Sequence, residues 1–325
     1  MQELEKMLLN RAKELLSNKT VDRVLGWKKG EFYHDVSPAV FYSEQELENF
    51  VYNAFCGANL SKYLVNESKR GGKILVFLKP CDSYSFNQLL KEHRISKESV
   101  YAIGVECQGK LDYEKVCQNG FEYFDNVVET VDKVTFVDGD KTQTFDKDEL
   151  KLSKCQVCEN QLVAGDEKIV LHEKVKPSKD RFEMIRKLES MTPDERFAFW
   201  KEQLSKCIRC NACRNVCPAC TCTKCVFDND DSTISSKANS DTFEEKLFHI
   251  IRSFHVAGRC TDCGECSRVC PQHIPLHLLN RKFIKDINSF YGDYQAGEEI
   301  GSRAPLVNYT KEDLEPSEAV NKGDE

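Results

Sequence analysis

What the sequence is short of narrows its class before any motif is read. Its opening residues, Met1-Gln-Glu-Leu-Glu-Lys6, hold no basic segment running into an apolar one, so no secretion signal is expected. Without that route to an oxidising compartment, the 17 cysteines are not read as a disulfide scaffold. No stretch is apolar enough to cross a bilayer. Positive charge is in the minority, with 46 Lys and Arg against 53 Asp and Glu and a net charge of −7, so the basic stripe of a nucleic-acid binder is missing. There is no Ser-His-Asp pattern, no zinc-protease motif and no glycine-rich dinucleotide fingerprint. These absences point to a cytoplasmic protein with reduced cysteines and leave docking to another protein open.

What the sequence does have is sulfur, unevenly placed. Eleven of the 17 cysteines fall between residues 207 and 270. The run Cys207-Ile-Arg-Cys210-Asn-Ala-Cys213-Arg-Asn-Val-Cys217-Pro218 returns as Cys260-Thr-Asp-Cys263-Gly-Glu-Cys266-Ser-Arg-Val-Cys270-Pro271. Each copy reads C-x2-C-x2-C-x3-C-P, in which three close thiolates wrap one iron-sulfur cube and the fourth turns to the other. The expected ligand sets are therefore crossed. Cys207, Cys210, Cys213 and Cys270 hold a first 4Fe-4S cluster, and Cys260, Cys263, Cys266 and Cys217 a second. Structural zinc prefers two separated pairs of ligands and gives no reason for a duplicated run of four ending in proline.

The length of 325 residues and the cysteine distribution favour two domains. Residues 2 to 17 set Leu4, Leu8, Ala12 and Leu15 on one helical face. Strands are expected at Arg23 to Trp27 and Ala39 to Tyr42, punctuated by Gly30 and Pro38, and a helix from Glu44 to about Tyr63 that buries Cys56 as a small hydrophobe. Lys73 to Lys79 reads as a strand covered on both faces, Ser83 to His93 as a helix and Ser99 to Glu106 as a second strand. Such a βαβ unit has parallel strands with ligands gathering at their carboxyl ends, where Cys81 and Cys107 sit. A hairpin is expected around Val137-Asp138-Gly139-Asp140. Residues 173 to 191 suit a connecting helix, and Thr192-Pro193-Asp194-Glu195 starts another that leads into Cys207.

The insert between the two runs has a polar stretch from Asp228 to Asn239, then a helix from Asp241 to His255 with Phe243, Leu247, Ile250, Ile251 and Phe254 inward. With a further helix from Pro275 to Phe290, this predicts an all-helical dicluster domain, unlike the strand-containing connections of compact ferredoxins. Cys155 and Cys158 form a lone C-x2-C, which zinc binding, redox activity or ordinary burial explains equally. With Cys81 and Cys107 they make four thiols, enough for a third cluster. Eight cysteines saturate two clusters, so His249, His255, His273 and His277 are read as packing or surface residues. Cys220, Cys222 and Cys225 are left without an assigned role. The end from Asn308 to Glu325 has the composition of a flexible acidic tail.

Four segments, Leu78-Lys-Pro-Cys81-Asp82, Gly104-Val-Glu-Cys107, Cys155-Gln-Val-Cys158 and the run from Cys207 to Pro271, carry a resemblance over roughly residues 70 to 285. The chain resembles the iron-sulfur β subunits of anaerobic hydrogenases and formate dehydrogenases, the family with members that reduce a deazaflavin coenzyme. It is also similar to an iron-sulfur subunit of anaerobic sulfite reductase. The resemblance implies an electron-relay subunit of a larger redox complex and strengthens the third-cluster reading. It also implies FAD, which some such β subunits bind, although the dinucleotide fingerprint is missing here.

The expectation is an α+β protein. Residues 1–175 form an α/β domain with a small parallel sheet and one further cluster, 176–300 an all-helical domain with two 4Fe-4S clusters, and 301–325 a flexible tail. The expected role is electron transfer between other subunits of a hydrogenase, formate dehydrogenase, sulfite reductase or heterodisulfide-reductase-like complex, with no nucleic acid and no membrane span. No side chain need act as acid or base. The rivals are a flavin-containing subunit that itself reduces a coenzyme or small molecule, and a zinc-stabilised adaptor without redox activity.

Overall fold

The computed structural model describes residues 2–306 apart from 174, 176, 178, 224 and 229–241, and for 242–245 the backbone alone. Its first helix, α1 (Gln2–Ser17), forms where the apolar stripe is written, burying Leu4, Leu8, Ala12 and Leu15. Strands β1 (Arg23–Lys29) and β2 (Val36–Phe41) pair antiparallel, and β2 is the edge of a five-stranded sheet. That is why Pro38, expected as punctuation, is tolerated inside β2: an edge strand can spare the missing N–H.

The expected helix from Glu44 to Tyr63 does not form. A 3-10 turn at Glu46–Asn49 gives way at Phe50 to extended backbone bridged to Lys28. Asn53 Oδ1 then accepts from the Phe55 amide at 2.9 Å and Asn59 Oδ1 from the Ser61 amide at 3.0 Å. These local side-chain acceptors compete with helical bonds and delay the helix to α2 (Ser61–Glu67). Cys56 is fully buried, as expected.

The βαβ unit is present as β3 (Ile74–Leu78), α3 (Pro80–Lys91) and β4 (Val100–Val105), with β3 and β4 parallel. Helix α3 starts three residues earlier than Ser83, because Pro80 suits the first helical position and Asp82 Oδ2 accepts from the Lys79 amide at 3.1 Å. Cys81 therefore lies in the first turn of a helix. After α4 (Tyr113–Gln118), the strands β5 (Asn126–Glu129), β6 (Lys133–Asp138) and β7 (Lys141–Asp146) make a separate antiparallel sheet, of which the sequence pattern shows the hairpin alone. Its turn puts Gly139 at φ 54°, a left-handed conformation that suits glycine. Short helices α5 (Lys147–Leu150) and α6 (Ser153–Gln156) follow, and then β8 (Glu167–Ile169) completes the first sheet in the order β2-β1-β3-β4-β8.

The connecting helix expected over 173–191 is confined to α7 (Glu183–Ser190), since Pro177 and a charged run precede it and Asp180 Oδ1 accepts from the Phe182 amide at 2.7 Å. Helix α8 (Pro193–Ser205) begins at the expected capping box, with Thr192 Oγ1 accepting from the Glu195 amide and Glu195 Oε2 from the Thr192 amide at 2.8 Å. The rest is helical: α9 (Ala212–Asn215), α10 (Thr242–Val256), α11 (Glu265–Arg268) and α12 (His277–Tyr291). The polar stretch at 229–239 and the tail from 307 lie outside the described residues. Among the described residues no helix is long and apolar enough to cross a membrane.

The architecture is thus an N-terminal α/β part with a mixed, mostly parallel sheet and a C-terminal helical part. The large apolar core lies on the first sheet, around Leu8, Trp27, Phe77 and Ile103. The helical part has a much smaller core, Leu204, Phe248, Ile274 and Leu276, into which Cys213 and Cys266 are packed. Burial that small is weak support for a fold by itself, and a metal centre can supply the rest.

Candidate metal centres

Both cysteine runs adopt the same turns. Arg209 and Asn211 in the first have φ 54° and 61°, and Asp262 and Gly264 at the matching places in the second have φ 55° and 68°. Left-handed backbone at non-glycine residues costs about 1–3 kcal/mol each, so its repetition at three of four positions indicates a shape that something else stabilises. The turns curl each run around its own thiols, and the Arg209 amide donates to Cys207 Sγ at 3.4 Å. Short helices α9 and α11 then carry Cys213 and Cys266 inward, where both are buried.

One cavity is lined by Cys207, Cys210, Cys213 and Cys270, together with Phe248, His249 and Ile274. Three of these thiols come from the first run and one from the end of the second. Around the second run, burial pushes the thiols of Cys260, Cys263 and Cys266 up, and the charge of Cys217 pushes each further, so Cys217 lies within electrostatic reach of all three. Cys217 itself is lowered, mainly by a hydrogen bond from the Cys220 thiol. Cys222 is exposed, while Cys225 hydrogen-bonds with Arg214.

A second cavity lies at the carboxyl ends of β3 and β4, and Cys81, Cys107, Cys155 and Cys158 all line it. The βαβ unit delivers Cys81 and Cys107, and α6 brings Cys155 across. Lys79, Lys110, Lys151 and Lys154 share the lining, so the cavity is rich in cations, and Lys79 and Lys110 are buried. Burial pushes Cys155 up to about 11 and Cys81 well above its usual value. Redox-active dithiols have lowered thiol pKa values, whereas burial moves Cys155 the other way. A bound metal, by contrast, deprotonates a thiol outright whatever its starting value. Among the described residues no three His, Cys, Asp or Glu side chains gather as tightly as a single metal ion needs. The thiols around a cube stand farther apart, one at each iron corner.

Two features of the site were not read from the sequence. The first is the inner face of α10. Ile250 and Phe254 are exposed and Leu247 and Ile251 half-buried, while Phe248, His249, Arg252, Ser253 and Val256 point inward; the Phe243 side chain lies outside the described residues. The inward face packs on thiols as well as hydrocarbon, so polar His249, Arg252 and Ser253 are buried beside Phe248 and Val256. His249 is 1% exposed, with Nε2 3.3 Å from Cys207 Sγ, and burial lowers its pKa to about 3, leaving the ring neutral. His277 is likewise held neutral by burial, at about 4, and its Nδ1 is 2.8 Å from Ser267 Oγ, whereas His255 and His273 are exposed.

The second is the seam between the two parts. The buried Lys154 pairs with the buried Glu265, which Arg268 also grips through two 2.8 Å bonds. Lys154 therefore sits between the charges of Cys81 and Cys155 on one side and the second cysteine run on the other. Ser85 Oγ and Thr261 Oγ1 meet at 3.0 Å in the same seam.

The fit of these cradles to iron-sulfur cubes is supported by the polar atoms left over. Among the described residues, His249 Nδ1, Thr221 Oγ1 and all three guanidinium nitrogens of Arg252 are buried without an oxygen or nitrogen to bond to. An unpaired buried polar group costs about 1–3 kcal/mol, and more when charged, so donors clustered around the cysteines suit an anionic group accepting from them.

Duplicated sulfur-rich loops in a helical setting define the class, that of a 4Fe-4S dicluster protein, and residues 203–274 match the 4Fe-4S dicluster domain family. Over most of its length the chain is related to the F420-dependent formate dehydrogenase subunit beta of Methanocaldococcus jannaschii, with 27% identity over 359 aligned positions covering 91% of this chain and 92% of that one. It is also related to the F420-dependent formate dehydrogenase 1 subunit beta of Methanococcus maripaludis, with 26% identity over 361 positions, 90% of this chain and 92% of that one. A chain of the F420-reducing NiFe hydrogenase complex of Methanosarcina barkeri overlays with TM-score 0.37 and 13% identity over 47% of this chain and 62% of that one, too loosely to argue from.

Proposed function

We propose that this chain is the iron-sulfur electron-transfer subunit of a cytoplasmic anaerobic oxidoreductase complex of the formate dehydrogenase or F420-reducing hydrogenase kind. It passes single electrons through three 4Fe-4S clusters. The first is held by Cys207, Cys210, Cys213 and Cys270, the second by Cys260, Cys263, Cys266 and Cys217, and the third by Cys81, Cys107, Cys155 and Cys158. Bound there, the clusters supply one-electron chemistry, and the protein fixes their spacing and sets their potentials.

The observation that carries the third set is that four cysteines scattered over 78 sequence positions, 81 to 158, line a single lysine-rich cavity. The seam supports a linear order. Lys154 lies between the third set and the second, while at the first set Cys210 and the neighbouring Ile208 are exposed. An electron then enters or leaves at the first cluster and crosses the second to reach the α/β part. A flavin is left out of this reading because the chain has no glycine-rich dinucleotide fingerprint. Flavin absorbance in the extracted native chain would contradict that choice.

The test of the third set is the double variant Cys155→Ser, Cys158→Ser in the anaerobically purified full chain. Iron should fall from about twelve to about eight per chain, four for each cube. Iron that stays at its starting value contradicts the assignment.

A further inference from the structure

We propose that Arg252 is a shared charge-balancing residue, one guanidinium set between the first and second cysteine cradles that fixes how readily both accept an electron. This inference rests on the cluster reading above.

Arg252 projects from the inner face of α10 and is 2% exposed. None of its three guanidinium nitrogens has an oxygen or nitrogen partner among the described residues, and the side chain meets the Cys266 thiol instead. On the same inner face of α10, Phe248 packs with Cys213 and Cys266, and His249, one turn before Arg252, reaches Cys207; the thiols within electrostatic reach of the guanidinium are those of Cys266, Cys213, Cys217 and Cys220. Cys213 belongs to one proposed ligand set, and Cys266 and Cys217 to the other.

A buried cation deprived of its counter-charge costs about 3–5 kcal/mol. A surface-seeking side chain would not be held in that position unless something negative filled the space its nitrogens face. An arginine keeps its proton at any pH the fold survives. One electron arriving in either cradle therefore adds one negative charge beside a fixed positive one, with no bond made or broken in the protein and no proton taken up. Because the guanidinium neighbours both cradles, its removal should be felt in both.

The test uses the full chain, purified anaerobically, as Arg252→Gln and Arg252→Lys. Iron and sulfide are measured first, and then the midpoint potentials of the two clusters in a dithionite titration followed by electron paramagnetic resonance. In R252Q both clusters should become harder to reduce by at least about tenfold in the reduction equilibrium, about 59 mV for one electron. R252K, which keeps the charge, should stay within that margin at both. Loss of both clusters in R252Q with retention in R252K leads to the same conclusion. A potential unchanged at either cluster in R252Q, a fall in R252K as large as in R252Q, or loss of iron in both variants overturns the proposal. An unaltered chain without iron would instead remove the cluster reading and leave Arg252 aside.

Discussion

At the scale of single residues, the crossed ligand sets are the sharpest expectation. Cys270 lines a cavity with three thiols of the first run, and Cys217 is within electrostatic reach of three of the second. Cys270→Ser should therefore perturb the same electron paramagnetic resonance signal as Cys207→Ser, and Cys217→Ser the same signal as Cys263→Ser. If Cys270→Ser and Cys263→Ser alter one signal and Cys207→Ser the other, each run keeps its own fourth ligand. The candidate ligand cysteines stand out in the sequence because the spacing of each run is the spacing a cluster asks of its ligands. The cations around them do not. Arg252, Lys154 and Lys79 look like ordinary surface residues in the sequence, and nothing short of the folded chain reveals that all three are buried beside thiols.

At the scale of elements, the amphipathic pattern of α1, the buried run of β3, the capping box of α8 and the Asp138-Gly139 turn each dictated one local structure, and each formed. The failures share a different physics. Residues 44–63 carry helical spacing, but Asn53 and Asn59 bind the backbone locally. In α10 the face through Ile250 and Phe254 is turned out, and the mixed face of Phe248, His249, Arg252 and Val256 is buried against the cysteine-containing core. The three-residue β8 is too short to show a period, and its place is set by β4 beside it. Contact between elements also makes a prediction at Gly264, where an added Cβ would stand 2.5 Å from Lys154 Cβ and φ is 68°. Gly264→Ala should cost about 1–3 kcal/mol and loosen the docking of α11 on α6. Hydrogen exchange should rise in both elements, and exchange unchanged at Lys154 and Glu265 would contradict the role given to that seam.

At the scale of the whole molecule, two folded parts meet across polar contacts: the buried ion pair of Lys154 with Glu265, the hydroxyls of Ser85 and Thr261, and the partly buried Arg259 with Glu92, the last through an Nε bond of 2.7 Å. A seam of this kind resists hinge motion, because separating its partners breaks an ion pair and several hydrogen bonds at once. It suits a fixed spacing between redox centres. The relatives that align over nine-tenths of this chain are named as subunits of formate dehydrogenases.

The most direct measurement is the iron and acid-labile sulfide content of the full chain purified without oxygen. Two clusters require about eight of each and three require about twelve, and the account predicts the higher pair of numbers. Zinc in place of iron, with no sulfide, would leave the cysteine cradles as structural sites and contradict the electron relay.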